Sequence, residues 1–120
     1  MPTKITEEQK EQVRLWIEEW AVRLRLDRYP IDIKFYKRKD PKSVGGETVY
    51  ADVGHHYAGM DIDVNIWLPF WGLSDCQKER VCVHELVHVL LPSASERDIC
   101  AATEIIWCLI KGEVISADTP

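Results

Sequence analysis

The sequence predicts an α+β fold: an N-terminal helix, a small three-stranded and mostly antiparallel sheet, then two consecutive helices. Three observations carry this. Apolar residues recur at helical spacing from Val13 to Leu24, and stretches between Ile31 and Trp67 alternate apolar with polar residues. The C-terminal half then returns to helical patterning between capping residues. At 120 residues the chain is one domain by length, spanning 1–120, and can bury a core.

Thr6-x-x-Gln9 forms a capping box that opens the first helix, and Val13, Trp16, Ile17, Trp20 and Leu24 give its apolar stripe. The tryptophans read as core anchors. Tyr29-Pro30 breaks the helix, because a residue before proline avoids the α region. Ile31, Ile33 and Phe35 then alternate with Asp32, Lys34 and Tyr36 as a half-buried strand. A loop through Asp40-Pro41 and Gly45-Gly46 leads to a second strand from Glu47 to Tyr57, with Val49, Ala51 and Val53 on one face. Ala58-Gly59 turns the chain into a third strand carrying Met60, Ile62, Val64 and Ile66, which makes an antiparallel hairpin. Ser74-x-x-Gln77 opens a helix that runs to about Leu91 and stops at Pro92. Ser93-x-x-Glu96 offers a third box for a last helix, which ends at Lys111-Gly112.

Composition excludes several classes. Hydrophobic residues make up 46% and charged residues 29%, as in ordinary globular domains. A net charge of −5 speaks against nucleic acid as a partner. The basic run Lys34, Lys37, Arg38, Lys39 and Lys42 reads as a solvated loop. There is no export signal and no apolar run long enough for a membrane span, so a cytoplasmic location without a membrane partner is expected. Cys76, Cys82, Cys100 and Cys108 form no C-x-x-C pair and read as reduced core thiols.

The informative segment is His84-Glu85-Leu86-Val87-His88. Residues four apart on a helix share a face, so both imidazoles can reach one ion, and zinc suits imidazole nitrogen. Glu85 stands at the edge of that face, placed to deprotonate a water rather than to bind the metal. The surrounding Val81, Cys82, Val83, Leu86, Val87, Val89, Leu90 and Leu91 imply a buried helix, in which such polar groups need partners. Two carboxylates on the next helix compete to be the third ligand. Glu96 sits in a polar first turn where capping accounts for it. Glu104 is the only charge from Ile99 to Ile110 and is the preferred ligand. Counting along antiparallel helices puts the matching position about seven or eight residues into the second, slightly short of Glu104 and well past Glu96.

Other polar residues admit plainer readings. His55 and His56 alternate across a strand, so one could face a cleft; exposed strand positions explain both. Tyr50 and Tyr57 could donate to an oxyanion or simply pack. Asp61, Asp63 and Asn65 fit a solvated strand face. In the tail, Glu113 or Asp118 could fold back on the metal, although a loose terminus accounts for them too.

On His84-Glu85-x-x-His88 and a glutamate in the following helix, the chain resembles zincin metallopeptidases of the gluzincin branch. Its size resembles the minimal members, the minigluzincins, and related small proteins of phages and other mobile elements. The likeness takes in the element order from about Ile31 to Ile110. It implies zinc held by His84, His88 and a helix glutamate, with Glu85 as general base. It also implies that Val49 to Val53 is an edge strand pairing with an extended peptide or protein substrate, and that Met60 to Ile66 is its hairpin partner. The expected function is therefore a zinc-dependent endopeptidase. Larger gluzincins add a second subdomain with histidine or tyrosine donors, whereas eight residues follow Gly112 here. That motivates the alternative, a zinc-stabilised peptide-binding module with weak or no catalysis.

Overall fold

The computed structural model describes residues 5–41, 48–56 and 61–112, with His55 and His56 described through their backbone alone. The elements run α1 (Glu7–Arg23), β1 (Ile31–Phe35), β2 (Ala51–His56), β3 (Asp61–Ile66), a short 3₁₀ turn (Leu68–Gly72), α2 (Asp75–Leu90) and α3 (Glu96–Lys111). This is the expected α+β arrangement of helices on a small sheet.

The sheet is mixed. Its order is β1-β3-β2, with β3 central, so β2 is an edge strand. The β2–β3 hairpin is antiparallel as its alternation implies, with Ala51 opposite Ile66 and His56 opposite Asp61. β1 joins the other side of β3 in parallel, Ile31 opposite Ile62 and Phe35 opposite Ile66. Ile62, Val64 and Ile66 are buried, and Asp61 faces solvent while Asp63 and Asn65 are half-buried. Register this specific follows from one apolar face: a slip by one residue would turn those three side chains outward.

Both predicted capping boxes are present, Thr6 with Gln9 and Ser74 with Gln77, each side chain and backbone satisfying the other. Three boundaries differ from the sequence reading. β2 begins at Ala51, with residues 48–50 outside it, although its expected strand starts at Glu47. α1 stops at Arg23 rather than at Tyr29-Pro30. Arg25 takes a left-handed φ of 64°. There its N–H bonds to Val22 O and Leu26 N–H to Ala21 O, a Schellman closure made without glycine. α3 is capped by Ser95, whose hydroxyl accepts from Asp98 N–H, and not by Ser93. Pro92 and Ser93 instead form the turn between the helices, closed by Ala94 N–H to Leu91 O at 3.0 Å. Gly112 caps α3 at φ 69°, as expected.

α2 runs through the middle of the molecule, packed on α1, α3 and β2. Cys82, Val83, Leu86 and Val87 are buried along it, against Val13, Ile17 and Trp20 of α1 and Ile99 and Trp107 of α3. Trp20 and Trp107 stack at 5.9 Å, which locks α1 to α3. The buried Trp20 Nε1–H donates to Glu79 Oε2 at 2.7 Å, and Lys111 Nζ reaches the same oxygen at 3.1 Å. Of the four cysteines, Cys82 lies in the core as expected, whereas Cys76 and Cys100 are exposed and Cys108 is intermediate. Among the described residues no helix is long and apolar enough to cross a membrane.

Candidate metal centre

His84 and His88 sit one turn apart on α2 with ring centroids 4.8 Å apart and planes inclined by 77°. Both rings aim their Nε2 at one carboxylate, that of Glu96. His84 Nε2 lies 2.7 Å from Glu96 Oε2, and His88 Nε2 lies 3.0 Å from Glu96 Oε1. With Nε2 protonated, each ring donates to the carboxylate. With Nε2 bare, the same atoms become convergent donors for a cation.

The helix boundary explains how Glu96 gets there. Had Ser93 been the cap, Glu96 would occupy the third helical position and bend back to the cap backbone. With Ser95 as cap, Glu96 is the first helical residue and its carboxylate is released from that duty. The tight Leu91–Ala94 turn then sets the first turn of α3 beside the last two turns of α2, which carry His84 and His88. One turn further along α3, the Cys100 thiol lies 3.7 Å from Glu96 Oε2. Donor atoms of His84, Glu96 and Cys100 all fall within 4.8 Å of one another, close enough to share a metal ion.

Electrostatics at the cluster are mixed. Burial holds the His84 imidazole below its ordinary pKa; the Glu96 carboxylate opposes this and His88 adds to it. His84 therefore tends to the neutral form that a metal requires. Partial burial and the carboxylates of Glu96 and Glu104 push the Cys100 thiol up. Burial does the same to Cys82, reinforced by Glu85 and Glu79, and that thiol is inert in the core.

A cleft of about 820 Å³ opens beside the cluster. One wall is residues 48–52, leading into and along the edge strand β2; the other is α2 and α3. Glu85, buried, lines it together with His84, His88 and Glu96. Arg80, one turn before His84, lines it too, and its buried Nε has no hydrogen-bond acceptor among the described residues. No protein-family model, curated protein or solved structure matches this chain.

Of the residues singled out from sequence, His84, Glu85 and His88 come together on the cleft. Glu104 is exposed on the cleft wall, two turns beyond Glu96, and is not part of the donor cluster. Tyr50 lines the cleft, half-buried. The side chains of His55 and His56 lie outside the described residues, as do Tyr57, Lys42, Glu113 and Asp118. Asn65 is tied up on the sheet, donating to Asp52 at 2.7 Å, and Trp67 Nε1–H donates to the same carboxylate at 3.3 Å. Cys100 and Arg80 escaped the sequence reading. The signal for Cys100 was present: Glu96 and Cys100 are four apart, repeating on α3 the spacing of His84 and His88 on α2.

Proposed function

We propose that this chain is a zinc-dependent endopeptidase in which His84, His88 and Glu96 hold the metal and Glu85 is the general base. The observation behind it is the convergence of two imidazoles and one carboxylate at the mouth of a cleft that Glu85 also lines. The donor set suits the ion: imidazole nitrogens and a carboxylate oxygen are ordinary zinc ligands, and three of them leave one position open. In this reading Glu96 takes the place expected of Glu104.

Zinc held there lowers the pKa of water and polarises a carbonyl. The rest falls to the protein. Glu85 accepts the proton of the attacking water and delivers it to the departing amine. Edge strand β2 aligns an extended peptide by main-chain pairing along the cleft, which makes recognition tolerant of side-chain sequence. The Arg80 guanidinium, which lines the cleft and has no acceptor at its buried Nε among the described residues, donates to a substrate oxygen.

The test is Glu85→Gln. Its zinc content should equal that of wild type, while cleavage of a peptide library falls at least about 100-fold, the lower end for a lost general base. If neither wild type nor Cys100→Ala, each loaded with zinc, cleaves any member of the library, the peptidase reading fails. A second reading, a metal-stabilised peptide-binding module, is favoured by the nearness of Cys100 to the cluster, because four protein ligands make a closed structural site.

A further inference from the structure

We infer that Cys100 is a fourth protein ligand, so that the resting metal centre is a closed His84–His88–Glu96–Cys100 site whose cleft opens to substrate only when the thiolate leaves. This rests on the metal-site reading above and deepens it into a form of regulation.

Geometry carries the inference. Cys100 follows Glu96 by one turn on α3, and His88 follows His84 by one turn on α2. Two helices thus each carry a pair of donors, with Glu96 touching both imidazoles and lying beside the Cys100 thiol. Ligands on one tetrahedral zinc stand roughly 3.6 Å apart, from bonds of about 2.1 Å to nitrogen and 2.3 Å to sulfur. Donor atoms of His84, Glu96 and Cys100 already lie within 4.8 Å of one another. Side-chain rotation draws these atoms in by roughly an ångström and brings His88 Nε2, 3.0 Å from Glu96 Oε1, onto the same ion; the exposed side chains of Glu96 and Cys100 are free to make that move. A soft thiolate beside two imidazoles also favours zinc over magnesium or calcium, which prefer oxygen.

Closure has a functional consequence. With four protein ligands the sphere is full, and neither water nor a substrate carbonyl finds a place. Loss of the thiolate restores the three-ligand site with Glu85 at its side. Because Cys100 is exposed, an alkyl halide can reach its sulfur without unfolding α3, forming an S–C bond as the halide leaves and so taking the thiolate from the metal.

Cobalt(II) substituted for zinc in the reduced full-length chain tests this directly. Wild type should bind one equivalent and show a thiolate-to-cobalt charge-transfer band in the near ultraviolet. Cys100→Ala should lose the band, while Cys76→Ala, altered at the other exposed thiol, keeps it. Acetohydroxamate, a small chelator that needs open positions, should shift the visible bands of Cys100→Ala and leave those of wild type unmoved. Cobalt bound with no charge-transfer band, or with a band that survives Cys100→Ala, overturns the inference and leaves the three-ligand centre standing. An equal hydroxamate response in the two proteins overturns the closure. Failure of wild type to bind any cobalt brings down the metal centre itself.

Discussion

Replacing Glu96 and Glu104 separately distinguishes the two carboxylates by how far zinc stabilises each variant. A ligand present at 100 times its dissociation constant stabilises the folded state by about 2.7 kcal/mol. For a chain of 120 residues, each kcal/mol moves the melting temperature by roughly 3–6 °C, so wild type should gain roughly 8–16 °C. Without metal, Glu96→Ala should cost less than about 1 kcal/mol, because the Glu96 side chain is 66% exposed and its bonds to the imidazoles are screened. With metal the loss is much larger. If the variant binds zinc about 100-fold more weakly, the same zinc concentration leaves about 0.4 kcal/mol of stabilisation, a shift of ~1–2 °C. Glu104→Ala, at an exposed helical position outside the donor cluster, should keep nearly the full shift. Differential scanning calorimetry with EDTA and with saturating zinc reads both variants. If Glu104→Ala abolishes the zinc-dependent gain and Glu96→Ala retains it, the assignment of ligands is refuted.

Three further outcomes follow from packing and charge. Glu79→Leu leaves the buried Trp20 N–H without its acceptor and frees Lys111, so urea unfolding should show a loss of about 1–3 kcal/mol; an unchanged midpoint would remove Glu79 from the account. Arg25→Gly should stabilise by up to about 1 kcal/mol, because a side chain at φ 64° carries a strain that glycine does not; destabilisation would show that the Arg25 side chain matters more than its backbone. The third concerns pH in zinc-stripped protein. Folding depresses the His84 pKa, so as pH falls below its unfolded value of about 6.5 the unfolded chain takes up the proton first. Stability from this group is therefore complete above that pH and is lost on acidification. Denaturant midpoints between neutral and acid pH should fall more steeply in wild type than in His84→Gln, and parallel profiles would contradict the shift.

Much of the fold could be read from the sequence because its signals are local. Thr6 with Gln9 and Ser74 with Gln77 specify helix starts through bonds three residues long, and alternation in Ile62, Val64 and Ile66 specifies a buried face. What escaped depends on longer range or on unmarked backbone. The end of α1 is set by Arg25 in a conformation usually advertised by glycine, and no residue type announces it. Parallel pairing of β1 with β3 is a choice between sheet edges that alternation within β1 cannot make.

The candidate site shows the same division at finer scale. His84, Glu85 and His88 were legible because one helix fixes their spacing. The partner from α3 was not, since its identity turns on a two-residue difference in where that helix begins. If Ser93 is the cap, Glu96 serves the backbone and Glu104 is the carboxylate without an occupation. With Ser95 as the cap, Glu96 faces the histidines, and Cys100 comes with it because the two share a helix face. A change as small as Ser95→Ala therefore reaches the candidate metal centre. It removes a cap worth about 1 kcal/mol, and it also loosens the turn that carries Glu96. Zinc affinity, measured by competition with a chromogenic chelator, should fall along with stability. A variant that loses the cap energy while binding zinc as wild type does would show that the cluster is held by the α2–α3 packing and owes nothing to the cap.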